Sequence, residues 1–387
     1  MKNNWPTKKL GEVADIRIGG TPSRSNPQYW GGNNAWGTIS ELNGQTIYDT
    51  KEHITNLGVN HSNVKPIPAG TTLMSFKLSI GKVATAGTEL YTNEAIAGLI
   101  PKTNDVENKW LYYSLPTINY DRYISGAAKG KTLNKAILQE VELPIPPITN
   151  QKKIVERLDT IRKAQELCDT QISKTEELFE SLVISEFQSL RAKLKSLKDI
   201  TVKITKGTTP TTYGYSFTGS GVSFLRVEDI DNGELRFETT KYHISEETND
   251  FMNRSQTQPG DVLITIAGTI GRVAVVPKNA PVLNMNQAVA LIRPTSGVLS
   301  AFLKLILMSN AVKNQILKSK VTGTLTNLSL TQLGNLEIPL PSLEKQQQIV
   351  EKLGAVQNYK KLLLKQKELL KELFDSVLHK SMKGELD

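Results

Sequence analysis

The nearest this chain comes to a phosphate-binding loop is Gly126-Ala127-Ala128-Lys129-Gly130-Lys131-Thr132. A nucleotide-binding loop sets four residues between its glycines, so that successive backbone N–H groups wrap the phosphates and the lysine reaches them. Here only three residues separate Gly126 from Gly130, and residue 125 is Ser. Further along, Val321-Thr322-Gly323-Thr324-Leu325-Thr326 has the same flavour but no lysine. Nucleotide binding is therefore not expected. A basic, glycine-rich loop lying beside a phosphate and a plain solvated turn both remain open.

Other chemistries are no better supported. No Ser/His/Asp arrangement is spaced for nucleophilic catalysis, and no pair of acids with a lysine stands at nuclease spacing. His53, His61, His243 and His379 show no metal-ligand spacing. Cys168 is the lone cysteine, so an intrachain disulfide is impossible and a structural zinc site lacks its ligands. Asn26-Pro27-Gln28-Tyr29 lacks the second proline of the Asn-Pro-Pro-Tyr motif of amino-methyltransferases, and no glycine-rich cofactor loop follows a strand upstream. No metal site is expected. The chain reads as a binding protein without its own catalyst.

The elements that would position such a binding site are duplicated. Residues 138–182 recur at 333–377, a shift of 195. Leu138, Leu143-Pro144-Ile145-Pro146, Gln151, Ile154-Val155-Glu156 and Leu158 answer Leu333, Ile338-Pro339-Leu340-Pro341, Gln346, Ile349-Val350-Glu351 and Leu353. Glu177-Leu178-Phe179-Glu180-Ser181-Leu182 answers Glu372-Leu373-Phe374-Asp375-Ser376-Val377. Fainter matches precede each copy. Gly20-Thr21-Pro22 resembles Gly207-Thr208-Thr209-Pro210, and Ile80-Gly81-Lys82-Val83-Ala84 resembles Ile270-Gly271-Arg272-Val273-Ala274. Asn93-Glu94-Ala95-Ile96-Ala97 resembles Asn286-Gln287-Ala288-Val289-Ala290. A chain built twice from one plan tends to do one thing twice.

The order is domain, helix, domain, helix, at 1–148, 149–198, 199–341 and 342–387. Short β-branched runs such as Thr72–Phe76 and Val262–Ile266, punctuated by Gly and Pro, predict strands and turns. Shorter helices fit Lys109–Tyr113 and Leu299–Lys318. Each domain is therefore expected to be α+β, with a twisted, partly barrel-like sheet. Residues 150–191 and 343–383 contain no Pro and predict long helices. Their apolar residues recur at spacings of four and three: Ile154, Leu158, Ile161, Cys168, Ile172, Phe179 and Leu182, then Ile349, Leu353, Val356, Leu363, Leu370, Phe374 and Val377. That is coiled-coil spacing. Leu167, Leu178, Leu362, Leu369 and Leu373 widen the stripe beyond a two-helix seam, which points to further partner helices. At ~1.5 Å per residue each rod is roughly 60 Å long. If the two pair antiparallel, the domains are related by a pseudo-two-fold axis and the rods act as a ruler.

Composition agrees with a polyanion partner without demanding one. The formal charge is +9, with 47 basic and 38 acidic residues, and the pI is about 9.3. The excess is spread over all four segments, so there is no basic tail. The first thirteen residues lack the apolar core of a signal peptide, and the apolar stretch Val262–Val276 is too short and broken to span a bilayer. A cytoplasmic location is expected.

This ordered set, twice over, resembles the specificity subunit of a type I restriction–modification system, and the resemblance covers essentially the whole chain. It implies two target-recognition domains, each reading one half of a bipartite double-stranded DNA site, with the helices setting the spacer. It implies no catalysis and no cofactor on this chain. Two docked modification subunits would bind S-adenosylmethionine and methylate adenine, and restriction subunits would bring ATP and Mg in the full complex. Phosphate contacts are expected from Thr21, Ser23, Arg24, Lys77, Lys82, Lys129 and Lys131 in the first domain. In the second, Thr208, Thr209, Arg226, Arg272, Thr324 and Thr326 take that role. Arg24, Arg226, Asn286 and Gln287 are the candidate base readers, since Arg pairs well with guanine and Asn or Gln with adenine. The rival reading is a coiled-coil scaffold without DNA specificity.

Overall fold

A computed structural model describes residues 5–124, 133–190, 193–318 and 327–385. It divides into two compact units, one of Met1–Leu167 with Lys367–Asp387, the other of Cys168–Gln366.

Unit 1 contains strands β1 (Ala14–Ile18), β2 (Trp30–Gly37), β3 (Thr46–Ile47), β4 (Glu52–Ile54) and β5 (Thr72–Ser75). They are followed by β6 (Val83–Ala86), β7 (Tyr91–Thr92), β8 (Ile96–Pro101) and helix α1 (Asn108–Ser114). The long helix α2 (Ile148–Leu190) begins in this unit. A five-stranded sheet runs in the order β1-β8-β5-β6-β3, and a three-stranded sheet in the order β4-β2-β7. In unit 2 the strands are β9 (Thr201–Lys206), β10 (Val222–Leu225), β11 (His243–Ile244), β12 (Val262–Thr265), β13 (Val273–Val275), β14 (Asn284–Met285) and β15 (Val289–Pro294). Its helices are α3 (Ser300–Met308) and α4 (Asn310–Lys318), and the second long helix α5 (Leu343–Met382) starts there. The sheets run β9-β15-β12-β13 and β11-β10-β14.

The central strands Thr72–Ser75 and Val262–Thr265 are buried along their whole length because both faces of the larger sheet are covered. Val262 and Ile264 face α3 with Phe302, Leu303 and Ile306, while Leu263 packs with Leu225, Ile230 and Leu291 on the other side. In unit 1, Met74 joins Trp110 and Leu111 of α1, and Leu73 joins Ile67 and Leu90. The expected helix over 299–318 is broken. Ser309 is extended (φ −69°, ψ 155°), its hydroxyl donates to the Ile306 carbonyl at 2.7 Å, and its own carbonyl accepts from Lys313. A buried serine bonding the backbone locally ends one helix and starts the next.

The proline-rich approaches to the long helices are strands. Glu142–Pro144 pairs antiparallel with Thr7–Lys9, and Glu337–Pro339 with Leu194–Ser196. Each approach thus leaves its domain beside the segment that enters it.

Within each unit the long helices pair antiparallel. In unit 1 the Gln165 amide donates to the Leu370 carbonyl at 3.2 Å, and Ile154 and Leu158 share a core with Phe374 and Val377. In unit 2, Cys168 meets the Leu363 carbonyl at 3.3 Å, Glu176 meets Lys360 at 2.6 Å, and Glu186 meets Lys352 at 2.7 Å. Numbers rise along one helix as they fall along the other.

Glu186 sits between Lys345 and Lys352, whose ammonium groups hold its carboxyl below the usual carboxylate range, chiefly through the Lys352 hydrogen bond. A carboxyl depressed in the folded state adds stability above its unfolded pKa of about 4.3 and loses it as pH falls through the lower folded value. Glu186→Gln is therefore expected to lower the melting temperature near pH 7 by the equivalent of about 1 kcal/mol. The gap from the unsubstituted protein should close as melting is followed from pH 6 down to 3. A gap independent of pH would refute the electrostatic account.

Candidate nucleic-acid interface

In both units several loops converge at one end of the sheets, and glycine makes the convergence possible. Beyond β1, Gly19 donates to the Ile96 carbonyl, and a Cβ there would lie 2.1 Å from the Thr92 oxygen. Beyond β9, Gly207 donates to the Val289 carbonyl, and a Cβ would lie 1.8 Å from the Met285 oxygen. No side chain fits either crossing. The chain can therefore lie directly on the next turn, whose Asn93 or Asn286 side chain accepts from the N–H two residues on, at 3.1 Å in both copies. The Asn93 N–H donates to Gly37 at the end of β2, as Asn286 does to Leu225 at the end of β10. Phe76 donates to Ala95 and Ile266 to Ala288, which draws in the loops after β5 and β12.

On this common frame the side chains differ. In unit 1 the Thr21 hydroxyl donates to Glu94 Oε2 at 2.5 Å. That bond is the largest influence holding the Glu94 carboxyl below its ordinary range, and the nearby Lys77 charge adds to it. Ser23 and Arg24 follow, both exposed. The Arg24 guanidinium lies 3.7 Å over the Trp30 ring and forks onto Glu52, with Nη2–Oε2 at 2.9 Å. In unit 2 the Thr209 hydroxyl donates to Gln287 Oε1 at 2.5 Å. Arg226 stacks 4.4 Å over Tyr242, with Glu228 at 3.7 Å. Its counterpart in unit 1 is Thr38, since both residues cap a short helix closed by an acid three positions later, Glu41 or Asp229.

Thr21 and Lys77 are thus brought to Glu94, with Ser23 and Arg24 on the loop beyond Thr21 and Arg24 held at Trp30 and Glu52. Thr209 is brought to Gln287 with Thr208 beside it, and Arg226 follows Leu225, to which Asn286 is bonded. Asn286 is buried and bonded into its own turn, a structural duty. Lys82 is exposed at the start of β6. Arg272, its counterpart, donates to the Ile230 carbonyl at 3.2 Å and lies 4.0 Å from Asp231. Lys129, Lys131, Thr324 and Thr326 lie outside the described residues. Among the described residues, no group of three or more His, Cys, Asp or Glu side chains could hold a metal ion, and no helix is long and apolar enough to cross a membrane.

Sequence reasoning singled out Gln151 and Gln346 as repeated but missed their duty. Both are fully buried. Gln151 accepts from Glu107 N at 2.8 Å and donates to the Asp105 and Pro146 carbonyls at 2.8 and 2.7 Å. Gln346 accepts from Leu299 N at 2.8 Å and donates to Gly297 and Pro341 at 2.9 and 3.0 Å. Each glutamine locks the start of a long helix to the turn before the domain's own helix. An uncharged amide buried at the same point of two repeats was the available signal.

The long-helix residues divide by exposure. Ile154, Leu158, Phe179, Ile349 and Leu353 belong to the cores of their own units, where burying each stabilises by roughly 1.5–3 kcal/mol. Leu363 is buried against the opposite helix, and Ile161, Ile172, Leu182, Val356, Leu370, Phe374 and Val377 are half-buried. The stripe-widening leucines stand free of these cores, with Leu167 61%, Leu178 51%, Leu362 65%, Leu369 55% and Leu373 48% exposed.

The described chain is a duplicated mixed domain on paired long helices, with one loop frame presented twice. The chain belongs to the type I restriction modification DNA specificity domain family, whose model matches residues 2–177 and again 192–372. Its role is sequence-specific DNA recognition within a type I restriction–modification system, in complex with other subunits. It is 25% identical to the MjaIX specificity subunit of Methanocaldococcus jannaschii, over 100% of this chain and 94% of that one. Two solved structures share the fold. One, from work on complex assembly and conformational transition of the type I R-M system, is 19% identical with a TM-score of 0.61, covering 99% of both chains. The other is the S subunit of M. genitalium, 14% identical with a TM-score of 0.59, covering 99% of this chain and 97% of that one.

Proposed function

We propose that each recognition domain, 1–148 and 199–341, reads one half of a bipartite, asymmetric duplex target, and that the helical segments 149–198 and 342–387 set the spacer. The observation that carries this reading is the loop frame itself. The same backbone crossing recurs in both units, while the side chains on it differ: Thr21, Ser23, Arg24, Lys77 and Glu94 in one, Thr208, Thr209, Arg226 and Gln287 in the other. One frame with two sets of side chains suits one docking geometry and two base sequences. Hydroxyl and basic groups there suit phosphates, which position the protein, while base edges specify the site. Lys82, Arg272, Lys129, Lys131, Thr324 and Thr326 are the outlying phosphate candidates.

The paired helices dock two modification subunits, which bring S-adenosylmethionine and methylate adenine. Restriction subunits with ATP and Mg complete the larger assembly. The exposed leucines make the docking face more specific than the seam does. Leu362→Asp with Leu369→Asp is expected to abolish co-purification of the modification subunit and leave the melting temperature within about 2 °C, because both side chains are already in water. Full co-purification of that variant would refute this docking face.

The test of the function is methylation mapping in a host free of other DNA methylation, with this chain expressed beside its modification subunit. One bipartite, asymmetric adenine-methylation motif that vanishes when this chain is omitted is the expected result. No motif, with both subunits folded and associated, would refute the reading and favour a scaffold.

A further inference from the structure

Thr21 with Glu94 and Thr209 with Gln287 form the same latch at the same place, yet they present opposite hydrogen-bonding groups. In unit 1 the hydroxyl occupies Oε2 of a carboxylate. What the carboxylate can still offer is acceptor capacity alone, with no donor on the same group. In unit 2 the hydroxyl occupies Oε1 of an amide, which fixes the amide's orientation and leaves its NH2 group as a pair of donors. Both residues are exposed, each beside basic or hydroxyl side chains of the converging loops. A carboxylate is repelled by phosphate, so on a DNA-facing surface Glu94 suits a base donor better than the backbone.

We infer that Glu94 and Gln287 are equivalent base-reading residues of opposite polarity: Glu94 requires an exocyclic amino group in its half-site, and Gln287 requires an acceptor atom on a base edge in the other. The inference rests on the DNA-facing reading of the loop frame. In the major groove the amino group is N4 of cytosine or N6 of adenine. The acceptors are purine N7, guanine O6 and thymine O4, and adenine alone also gives the Gln287 oxygen a donor partner through N6. The threonines are positioning residues. Each holds one side-chain oxygen and so limits the rotamers in which the other atom can be offered.

The two repeats supply a test that spares the fold, because each substitution installs a side chain the other copy already accommodates. Glu94→Gln and Gln287→Glu would be made in the full chain, each co-expressed with the modification subunit, and their methylation motifs mapped beside the unsubstituted complex. Glu94→Gln is expected to change one position of one half-site. Discrimination in favour of its amino-bearing base should fall by about 5- to 150-fold, the range for one good base contact. The other half-site and the spacer should stay as they were. Gln287→Glu is expected to do the converse, shifting one position of the other half-site toward cytosine or adenine. Which amino-bearing base the first variant ceases to require tells cytosine from adenine.

Both variants methylating the original motif with unchanged base preference, at whatever rate, would overturn the inference. A variant that methylates nothing would be read by competition binding of its assembled complex to single-base variants of the half-site. Base discrimination equal to the unsubstituted complex again overturns it, and a loss confined to one position supports it. If the unsubstituted complex itself yields no bipartite motif, the proposed function fails, and that failure is distinct from this one.

Discussion

Arg293→Ala is expected to lower the stability of unit 2 by about 3–5 kcal/mol, the usual cost of stranding one member of a buried ion pair. Asp261 is 1% exposed and takes a bidentate bond from Arg293, Nε–Oδ1 2.7 Å and Nη2–Oδ2 2.8 Å. Without the guanidinium, its carboxylate keeps only the N–H of Gln258 at 2.7 Å among these bonds. The reverse truncation, Asp261→Ala, should cost less, because the Arg293 side chain is 23% exposed and can reach water. The asymmetry separates a desolvation account from simple loss of contacts. Unit 1 offers its own control. By strand register Thr71 and Ile100 stand where Asp261 and Arg293 stand, so the pair is replaced there as a whole. Asp261→Thr combined with Arg293→Ile should recover most of the loss, since removing both partners of a buried pair is often nearly neutral. Hydrogen exchange of the β12 and β15 amides in the full chain would measure it. If the double variant is as unstable as Arg293→Ala, the ion pair is not the cause.

Gln151→Ala and Gln346→Ala should each cost about 2–4 kcal/mol. Each strands one buried N–H and removes a donor from two carbonyls, and unsatisfied buried groups cost about 1–3 kcal/mol. The two glutamines share no partner, so the losses should add. All four tryptophans, Trp5, Trp30, Trp36 and Trp110, lie in unit 1. Tryptophan fluorescence during urea unfolding should therefore shift with Gln151→Ala and stay put with Gln346→Ala, while circular dichroism shifts with both. Equal fluorescence shifts for the two variants would contradict the assignment of one lock to each unit.

Much of this architecture was legible in the sequence. The 195-residue repeat, the proline-rich approaches and the four–three apolar spacing specified two mixed domains and two long helices, because periodicity is a local record of which face is buried. Thr72–Phe76 and Val262–Ile266 read correctly as strands for the same reason. Both strands are buried along their whole length, the hydroxyl residues Thr72, Ser75 and Thr265 included, which matches a sheet covered on both faces.

What the spacing of Ile154, Leu158, Ile349 and Leu353 could not say is what buries them. A heptad records an apolar face and not its occupant. Here the chain's own domains take the seam residues nearest the helix starts, and the leucines that widen the stripe are the ones left exposed. The convergence of Thr21 with Glu94 and of Thr209 with Gln287 was equally out of reach, since more than seventy residues separate each pair. Repetition and periodicity are properties of the chain and set the duplicated plan of mixed domains and long helices, while the class of protein came from the resemblance of that plan to a known family. Which side chains share a hydrogen bond, and which apolar faces stay open to a partner, depended on strand order and on the close backbone crossings at Gly19 and Gly207, which only the folded chain contains.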